Sequence, residues 1–514
     1  MHNEPSSRKF IRSRGGFSVR KAFVRFAAVP FLAALMAGCG SSGHHANSND
    51  VPILLTIQDQ PPTGLTIVSF SLQVTGVTLQ SGTGTQNSVS LLPSPITVNL
   101  SNLQTMNELL ANTSAPAGTY DSMMITFASA SMTILNNSTT TFTDGTTSCP
   151  PATSDTQTCT LAPAFNPTST TISSSPFPIT LSMNTPVSIG IDFNSADSIV
   201  NSNGTLSLAP AVTVTTNTVA NATTGNLNDF TNVTGQVTSV GSNQITVSDI
   251  GTGQPLTLGT TGSTVFNNFN TSTTCTTANT FGCVQNGQVV MLDFGSSGAS
   301  GSTPTISSIS LENGITQGVQ GTVIAVDTSA STAEVVITGV TPAFASANTG
   351  AAVGQLVTVS TSPQTTFSIA ANGTTIPAGL NFAGIGDVTV GQSVELDSTA
   401  FTAGTGGAPG TMTSDQVLLV PTEFNGTINS LNATDQSFTT NGLNGVFTDN
   451  GVNQVLVDTG TSTTFNGVTG FTGLANGNNV AVGGLLFETP TGPVVVGQQV
   501  GVVTTTTTAA IAAD

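Results

Sequence analysis

The sequence predicts an all-β protein, and three observations lead to that prediction. Polar β-formers and turn residues dominate, with 54 glycines and 25 prolines among 514 residues. Segments such as residues 65–80 (LTIVSFSLQVTGVTLQ) alternate apolar and polar side chains at the period of a half-buried strand. Long helical patterns are absent, and only residues 102–110 predict a short helix. Apolar residues make up 37% of the chain, which is enough core material for about three to four small β domains.

The N-terminal segment has the order of charge and hydropathy that is typical of an export signal. All seven Lys and Arg residues lie within residues 1–25, and residues 26–38 form an apolar run that ends in small residues before Cys39. This run is shorter than the roughly 20 residues that a helix needs to span a bilayer. The sequence therefore predicts a signal peptide over residues 1–38, with an uncleaved N-terminal anchor as the alternative.

Residues 35–39 (LMAGC) resemble the bacterial lipobox, with Met36 at the position three before the cysteine where Leu is usual. The resemblance implies that Cys39 carries lipid and becomes the first residue of the mature chain, so that the membrane is a partner through a lipid anchor. Gly40 follows the cysteine where Asp would indicate retention in the inner membrane, which favours the outer membrane or cell surface. Residues 39–50 are predicted to be a flexible tether.

The predicted mature chain is acidic and almost free of cations. The formal net charge of the whole chain is −18, no Lys or Arg follows Arg25, and His44 and His45 lie in the predicted tether. Such a chain can form neither an arginine clamp on phosphate nor a basic surface for nucleic acid, which excludes nucleic acid and anionic lipid as partners. Catalysis by Ser-His-Asp, Cys-His or Ser-Lys groups also lacks its base.

Four cysteines besides Cys39 fall into two close pairs, Cys149 with Cys159 and Cys275 with Cys283. In an exported protein this spacing predicts two local disulfides. A zinc site of four thiolates is the alternative, and it requires the two pairs, which are far apart in the sequence, to converge.

The chain repeats itself from residue 232 onward. An eleven-residue block that ends in Thr-x-Phe occurs three times, at residues 256–266, 357–367 and 455–465. A strand that opens with glycine precedes each block, and an apolar segment led by glycine follows it. The sequence therefore predicts three modules, at residues 232–314, 315–422 and 423–504. Residues 505–514 are predicted to be a disordered tail.

This layout resembles the small β-barrel repeats of domain of unknown function 5666. The resemblance implies three β-barrel-like modules, and closing a sheet into a barrel removes exposed edges in a chain that has no Lys to protect them. A β-solenoid adhesin rich in Thr, Asn and Gly is the alternative, and it would show shorter, even repeats of about 20 residues.

Residues 51–217 precede the repeats and have different signatures. LTIQDQPP at 55–62, APAGTYDSMMITF at 115–127 and IGIDFNSADSIV at 189–200 occur in the order found in domain of unknown function 4382. The family usually has Asp-Ala-Pro where this chain has Asp-Gln-Pro. The resemblance is most specific at the turn before Tyr120, the single tyrosine. It implies an N-terminal β-sandwich in an exported bacterial protein, and it implies no activity.

One segment suggests acid catalysis. Residues 455–463 (VLVDTGTST) resemble the signature of aspartic proteases, in which two aspartates share one proton. Asp458 would be one member of such a pair, and Asp327 is the candidate partner. The sister modules have Gly259 and Ser360 at the position of Asp458. The repeats therefore favour a turn at the end of a strand and no catalytic residue.

Two groups of oxygen-bearing side chains suggest calcium, and they are Asp192, Asn194 and Asp197 in one segment and Glu395 and Asp397 in another. Calcium takes about six to eight oxygen ligands, which neither group supplies alone. Acidic residues on solvated strands are the simpler interpretation, so no cofactor is predicted, with Ca²⁺ as the alternative.

Together these observations predict an exported, membrane-anchored lipoprotein of the cell envelope, built from tandem β modules and acting as a non-enzymatic binding or structural protein. Its expected partners are the membrane, through the lipid anchor, and an envelope polysaccharide or a surface protein. A secreted acid hydrolase that uses Asp458 and a β-solenoid adhesin are the alternatives.

Overall fold

Strands dominate the computed structural model, which confirms the all-β prediction. The model describes residues 50–60, 65–82, 88–152, 157–183, 185–218, 228–250, 252–271, 275–296, 303–312, 318–371, 373–398, 400–404 and 408–503. The predicted signal peptide, Cys39, most of the tether and the C-terminal tail lie outside the described residues. No helix in the described ranges is long and apolar enough to cross a membrane.

Two facing sheets build the N-terminal sandwich. One sheet has the order β16-β13-β1-β5, and the other has β10-β7-β2-β3 with β4 on β2 and β11 on β7. The strands are β1 (Asp50–Gln60), β2 (Thr66–Gln80), β3 (Val89–Ser90), β4 (Ile96–Asn99), β5 (Glu108–Pro116), β6 (Gly118–Tyr120), β7 (Ser122–Leu135), β8 (Phe142–Thr143), β9 (Ser148–Cys149), β10 (Thr158–Leu161), β11 (Ser169–Ile172), β12 (Ile179–Leu181), β13 (Val187–Asn194), β14 (Ile199–Ser202), β15 (Thr205–Leu208) and β16 (Val212–Thr218). A short helix, α1 (Ser195–Ser198), follows β13.

Aromatic side chains join the two sheets of the sandwich. Phe193 of β13 packs edge-on against Phe70 of β2 and Phe127 of β7, with ring centroids 6.2 and 5.5 Å apart. One continuous apolar core contains side chains of both sheets. Because each strand alternates its side chains between two faces, this core collects the apolar set that the sequence period predicts.

The helix predicted over residues 102–110 is wrong. Leu100–Asn102 form a single 3₁₀ turn, capped by the Asn99 side chain, which accepts a hydrogen bond from Ser101 N. Glu108–Pro116 form strand β5, which pairs antiparallel with β1. Pairing with a neighbouring strand therefore outweighs the local helical pattern, as tertiary context commonly does.

The remaining strands form three sheets, which we call module 1, module 2 and module 3. Module 1 has β17 (Asn228–Val240), β18 (Gln244–Asp249), β19 (Pro255–Gly259), β20 (Val265–Asn267), β21 (Val289–Ser296) and β22 (Thr305–Leu311). Module 2 has β23 (Gly318–Asp327), β24 (Thr332–Val340), α2 (Pro342–Ala347), β25 (Leu356–Ser360), β26 (Thr366–Ile369), β27 (Ser393–Asp397), β28 (Ala400–Thr402), β29 (Gly410–Thr413) and β30 (Gln416–Val420). Module 3 has β31 (Thr422–Asn432), β32 (Ser437–Asn441), α3 (Gly445–Thr448), β33 (Val455–Asn466), β34 (Asn479–Phe487) and β35 (Val494–Val502). The boundaries expected from the sequence stay predictions.

The three modules share one strand order. Module 3 closes into a barrel, β31-β32-β33-β35-β34, in which β33 and β35 are parallel. Module 1 forms the same ring from β17, β18, β19, β22 and β21, with β19 parallel to β22. In module 2 the last strand is divided into β29 and β30, which run parallel to β25 and β26. Five strands in this order form a Greek-key barrel of the OB-fold type.

A threonine at the ninth position of each eleven-residue block explains why the block repeats. Thr264, Thr365 and Thr463 each accept a hydrogen bond from the backbone N–H three residues earlier, at 2.9 Å in all three modules. Each hydroxyl also donates to a carbonyl in or beside the neighbouring last strand of its module, at Ile306 (2.8 Å), Ser414 (2.7 Å) and Gly497 (2.6 Å). The threonine therefore fixes the turn and closes the barrel at the same time.

The modules and the sandwich pack against one another within one compact unit, Ser48–Asp514. Asn99 Nδ2 of the sandwich donates to the Thr338 carbonyl of module 2 at 2.6 Å, and Thr133 Oγ1 donates to the Gly354 carbonyl at 2.8 Å. Three side chains of module 3, at Leu485, Phe487 and Val496, belong to the apolar core of module 2. These contacts bring polar groups of different modules into shared, water-poor interfaces.

Candidate functional site

Asp458 lies half-buried in β33, with Ser437 of β32 on one side and Val496 of β35 on the other. Burial and then the charge of Asp435 raise the pKa of Asp458. Asp435 is exposed in the turn between β31 and β32, where its carboxylate accepts a hydrogen bond from Asn432 Nδ2 at 2.7 Å. A protease dyad requires two carboxyl groups in contact within one site, and this exposed, turn-bound Asp435 does not provide the second.

Asp327, the candidate partner of Asp458, ends strand β23 in module 2 and is engaged in its own turn. Its Oδ1 accepts hydrogen bonds from Ser329 N at 2.9 Å, Ser329 Oγ at 2.6 Å and Ala330 N at 3.0 Å. The Ser329 hydroxyl, followed by the Ala330 N–H, lowers the pKa of Asp327. This is the side-chain turn that Asp commonly forms after a strand.

The first calcium candidate builds a helix cap. Asn194 Oδ1 accepts a hydrogen bond from Asp197 N at 3.0 Å, and Asn194 Nδ2 donates to Asp197 Oδ2 at 2.7 Å, so this pair caps α1. Asp192 has one carboxylate oxygen that accepts from Thr213 Oγ1 at 3.5 Å and one buried oxygen without a partner. Burial raises the pKa of Asp192, while hydrogen bonds from Gln58 and Thr213 oppose the rise.

The second calcium candidate divides between two environments. Glu395 and Asp397 occupy alternate positions of β27, but Glu395 is 1% exposed and Asp397 is half-buried. Across the described ranges, no group of three or more His, Cys, Asp or Glu side chains is arranged to hold a metal ion. That the protein has no cofactor, with Ca²⁺ as the alternative, stays a prediction.

The structure brings both predicted cysteine pairs to disulfide distance. The Cα atoms of Cys149 and Cys159 are 5.7 Å apart, and those of Cys275 and Cys283 are 4.9 Å apart. Both separations lie in the normal range for disulfides. The first pair joins β9 to β10, and the second joins two residues of the segment between β20 and β21 in module 1.

Acidic side chains lie at the interfaces between modules, and of these only Glu395 stood out in the sequence, as a calcium candidate. Glu312, which follows β22 in module 1, is 3% exposed, and the charge of Glu395 of module 2 acts on it. Burial and then the charge of Glu395 raise the pKa of Glu312 well above its usual range. Burial also raises the pKa of Glu395, to about 7, and the nearby Thr234 hydroxyl opposes this rise. Thr234 Oγ1 and both oxygens of Glu395 nevertheless have no hydrogen bond of ordinary geometry.

A second acidic pair joins the sandwich to module 1. Glu108 begins β5, and burial followed by the charge of Asp249 raises its pKa well above the usual range. Asp249, which ends β18 and is 5% exposed, accepts hydrogen bonds at one oxygen from Thr252 N (2.7 Å) and Thr252 Oγ1 (2.9 Å). A backbone hydrogen bond from Leu109 opposes the rise at Glu108.

Glu423 joins module 3 to the sandwich. Its Oε2 accepts hydrogen bonds from Gln104 N at 2.7 Å and Thr105 N at 3.2 Å, and its Oε1 accepts one from the Thr105 hydroxyl. Burial raises the pKa of Glu423 to about 7, against the lowering effect of these three donors. The side chain keeps some exposure because it lines a crevice of about 180 Å³ that Asn232 of module 1 also lines.

Sequence patterns gave no signal for the burial of these acids because no local motif surrounds them. Glu395 and Glu423 each precede a residue of their own barrel core, Leu396 and Phe424, and therefore point away from that core. Packing on another part of the molecule is what covers these two side chains. The absence of Lys and Arg after Arg25 was the one available hint, since it means that no acid in the described part of the chain has a lysine or arginine to pair with.

A small void lies in the core of module 2, lined by apolar side chains such as Val323, Val359 and Leu396 and by one polar residue, Thr361. Binding sites for small molecules combine an apolar cavity with a few convergent polar groups. This void has an apolar wall with that single polar residue, and it belongs to the interior of the barrel.

Comparisons with known proteins identify one region of the chain. No curated protein matches the chain. A solved structure described as Drosophila Unr CSD456 is 10% identical and has a TM-score of 0.12, over 53% of this chain and 98% of that one. Residues 52–210, which form most of the sandwich, match the model of the family described as Domain of unknown function (DUF4382).

Proposed function

We propose that this protein is a lipid-anchored structural component of the bacterial cell envelope, exported through its N-terminal signal and without enzymatic activity. The observation that carries the proposal is what the polar side chains do. Among the candidate catalytic and ligand groups, Asp327 holds a turn after its strand, and Asn194 with Asp197 caps a helix. The polar groups of these three side chains therefore stabilise the fold.

A structural role is favoured over recognition of a polysaccharide by the character of the exposed surface. Among the described residues, the most exposed large apolar side chains are aliphatic and scattered: Met183 (55%), Val265 (54%), Val200 (37%) and Leu456 (37%). Aromatic rings, which offer large contact area together with a polar edge, are instead packed in the cores. Scattered single apolar residues are ordinary for a protein surface.

Lipid anchoring is tested by expressing the chain in a bacterium supplied with labelled palmitate. We expect the label in the membrane fraction for the wild type and its loss in Cys39→Ala, whereas the control Ser41→Ala keeps it. Equal labelling of all three proteins, or none in the wild type, would refute the proposal.

Processing is tested by trypsin. The predicted mature chain, which begins at Cys39, contains no Lys or Arg. We therefore expect the denatured mature protein to remain a single species by mass spectrometry after trypsin treatment. A precursor that retains its N-terminus is shortened by the same treatment. Shortening of the membrane-bound form would show that the signal peptide is still attached.

The structural role itself is tested on intact cells that lack the protein. We expect the envelope of these cells to have an altered resistance to detergent. Expression of the wild type and of Asp458→Asn should restore the normal resistance equally well. Restoration by the wild type but not by Asp458→Asn, together with acid-dependent proteolysis by the purified wild type, would assign the protein to the acid hydrolases instead.

A further inference from the structure

The contact between module 1 and module 2 contains a pair of buried acids. Glu312 and Glu395 are 3% and 1% exposed, and both oxygens of Glu395 lack a hydrogen-bond partner of ordinary geometry. The buried Thr234 hydroxyl of module 1 favours the charged form of Glu395, but without a hydrogen bond of ordinary geometry. A buried carboxylate with so little support from donors is costly, so the pair has to acquire a proton or separate.

Apolar side chains surround this contact and keep water away from it. Five buried residues of the two modules form a separate apolar cluster at the same interface: Val289, Met291, Ala370, Leu418 and Val420. The Glu312 N–H donates to the Val289 carbonyl at 3.0 Å, which ties the acid to this cluster. Gln236 Oε1 of module 1 accepts a hydrogen bond from Ala343 N of module 2 at 3.3 Å.

Every titratable group on the strands that meet here is an acid. They are Glu312 and Glu395 themselves, Asp229 on β17, Asp293 on β21 and Asp397 on β27. Asp293 is held within module 1 by Asn232 N and Ser308 Oγ, both at 2.9 Å. Since the described ranges contain no Lys, Arg or His, a negative charge on Glu395 has no positive side chain to balance it.

We propose that the buried acids Glu312 and Glu395 form a pH-sensitive lock, which holds module 1 against module 2 in acid and releases it as the carboxyl groups ionise. Protonation removes the charge of the two carboxyl groups, and with it both their mutual repulsion and the cost of keeping them out of water. When both are ionised, repulsion inside an apolar interface favours solvation of the acids, and the two modules separate. The state of the interface then reports the pH outside the cell.

The direction of the pKa changes sets the pH window. Burial raises the pKa of both acids above the value of about 4.5 that a glutamate has in an unfolded chain. Stability from the lock is therefore complete below about pH 4.5 and is lost as the pH rises through about 7 and beyond.

The first test compares the wild type with the double variant Glu312→Gln/Glu395→Gln by calorimetry between pH 4.5 and 8.5. Glutamine keeps the shape of a protonated glutamate and cannot ionise. Between pH 4.5 and pH 8.5, we expect the Tm of the wild type to fall by at least about 2 °C more than the Tm of the double variant falls. Glu488→Gln, which removes one acid after β34, serves as the control and should follow the wild type. Parallel pH profiles for all three proteins would overturn the proposal.

Two further measurements keep the proposal testable even if the double variant does not fold. Infrared spectroscopy of the wild type at pH 6 should show the carbonyl stretch of protonated carboxyl groups. Small-angle scattering should show a larger radius of gyration at pH 8.5 than at pH 5. No protonated carboxyl band at pH 6, or a radius that is constant across this range, would each contradict the lock.

Discussion

Tyr120 shows how a single polar side chain stabilises the sandwich. The residue is fully buried, and its hydroxyl donates to the Pro116 carbonyl four residues earlier, at 2.9 Å. A tyrosine hydroxyl that bonds back to the chain in this way is the tyrosine corner of β-sandwiches. The Ala-Gly-Thr-Tyr turn that marks the family in the sequence is therefore a structural feature.

Replacing Tyr120 with Phe keeps the ring and removes this one hydrogen bond. We expect the free energy of unfolding to fall by about 0.5 to 1.5 kcal/mol, the usual contribution of a buried hydrogen bond. Urea denaturation at constant pH measures the change, and an unaltered m-value shows that the fold is kept. A Tyr120→Phe variant as stable as the wild type would show that the hydroxyl has no structural role.

Glu423 stabilises the contact between module 3 and the sandwich, because three donors of the sandwich converge on its carboxylate. In Glu423→Ala two backbone N–H groups lose their acceptor, and we expect a loss of about 1 to 3 kcal/mol. Guanidinium denaturation measures it, with Glu488→Ala as the control for removal of a negative charge. An equal effect of the two substitutions would mean that charge, and not the contact, matters.

At the scale of elements, the repeated threonine explains why three modules of divergent sequence share one strand order. In each module the hydroxyl bonds both the turn before it and the final strand. The parallel pairing that closes the ring is non-local, and a fixed turn reduces the entropy lost when it forms.

The pair Thr264→Val and Thr264→Ser tests this closure in module 1. Valine has the shape of threonine without the hydroxyl, so the Thr261 N–H and the Ile306 carbonyl lose their partner, and we expect a loss of about 1 to 3 kcal/mol. Serine keeps the hydroxyl and should cost less than valine. Thermal unfolding ranks the two variants, and the opposite ranking would refute the closure role.

Substitution of Gly391, which lies two residues before strand β27, tests the contact between modules 2 and 3. It has a φ of +84°, and a Cβ there would overlap the ring of Phe447. Gly373 has a φ of +81° with nothing within 4 Å of the added atom, so alanine at both positions costs the same backbone strain of about 1 to 2 kcal/mol. We expect Gly391→Ala to cost about 1 to 3 kcal/mol more, through overpacking. Chemical denaturation compares the two, and equal losses would show that Phe447 can move away.

At the scale of the whole molecule, the lack of cations makes the folded protein more stable at acidic pH than at neutral pH. Burial raises the pKa of Glu108, Glu312, Glu395 and Glu423. Each contributes stability that is complete below about pH 4.5 and is lost as the pH rises. Hydrogen bonds lower the pKa of Asp144 and Asp327, and stability from these two acids is lost as the pH falls below about 3.8.

The two effects together predict a maximum of stability near pH 4 to 5, below the interval of about pH 5 to 8 that is usual for proteins. Calorimetry from pH 2 to 9 checks this prediction at constant ionic strength. A maximum near neutral pH would show that the interface acids are ionised in the native protein and that solvent reaches them.

How far prediction from sequence succeeded depends on the range of the interactions. The all-β class, the two cysteine pairs and the family resemblance of the sandwich follow from local period, spacing and turn chemistry, and they are confirmed. The helix expected over residues 102–110 failed because β1 pairs with this segment, and a distant strand leaves no local pattern. The lipid anchor and the envelope role stay predictions.

The sequence by itself determined the strand content, the absence of cations after Arg25 and the repeated blocks, because each of these is a property of neighbouring residues along the chain. Tertiary structure alone decided that Glu312 and Glu395 are buried, that the charge of Asp249 acts on Glu108 and that Glu423 receives its donors from the sandwich. Groups that act on each of these acids come from a different part of the fold, so only the packing of one part on another sets its environment. Burial of charge is therefore a property of the assembled molecule.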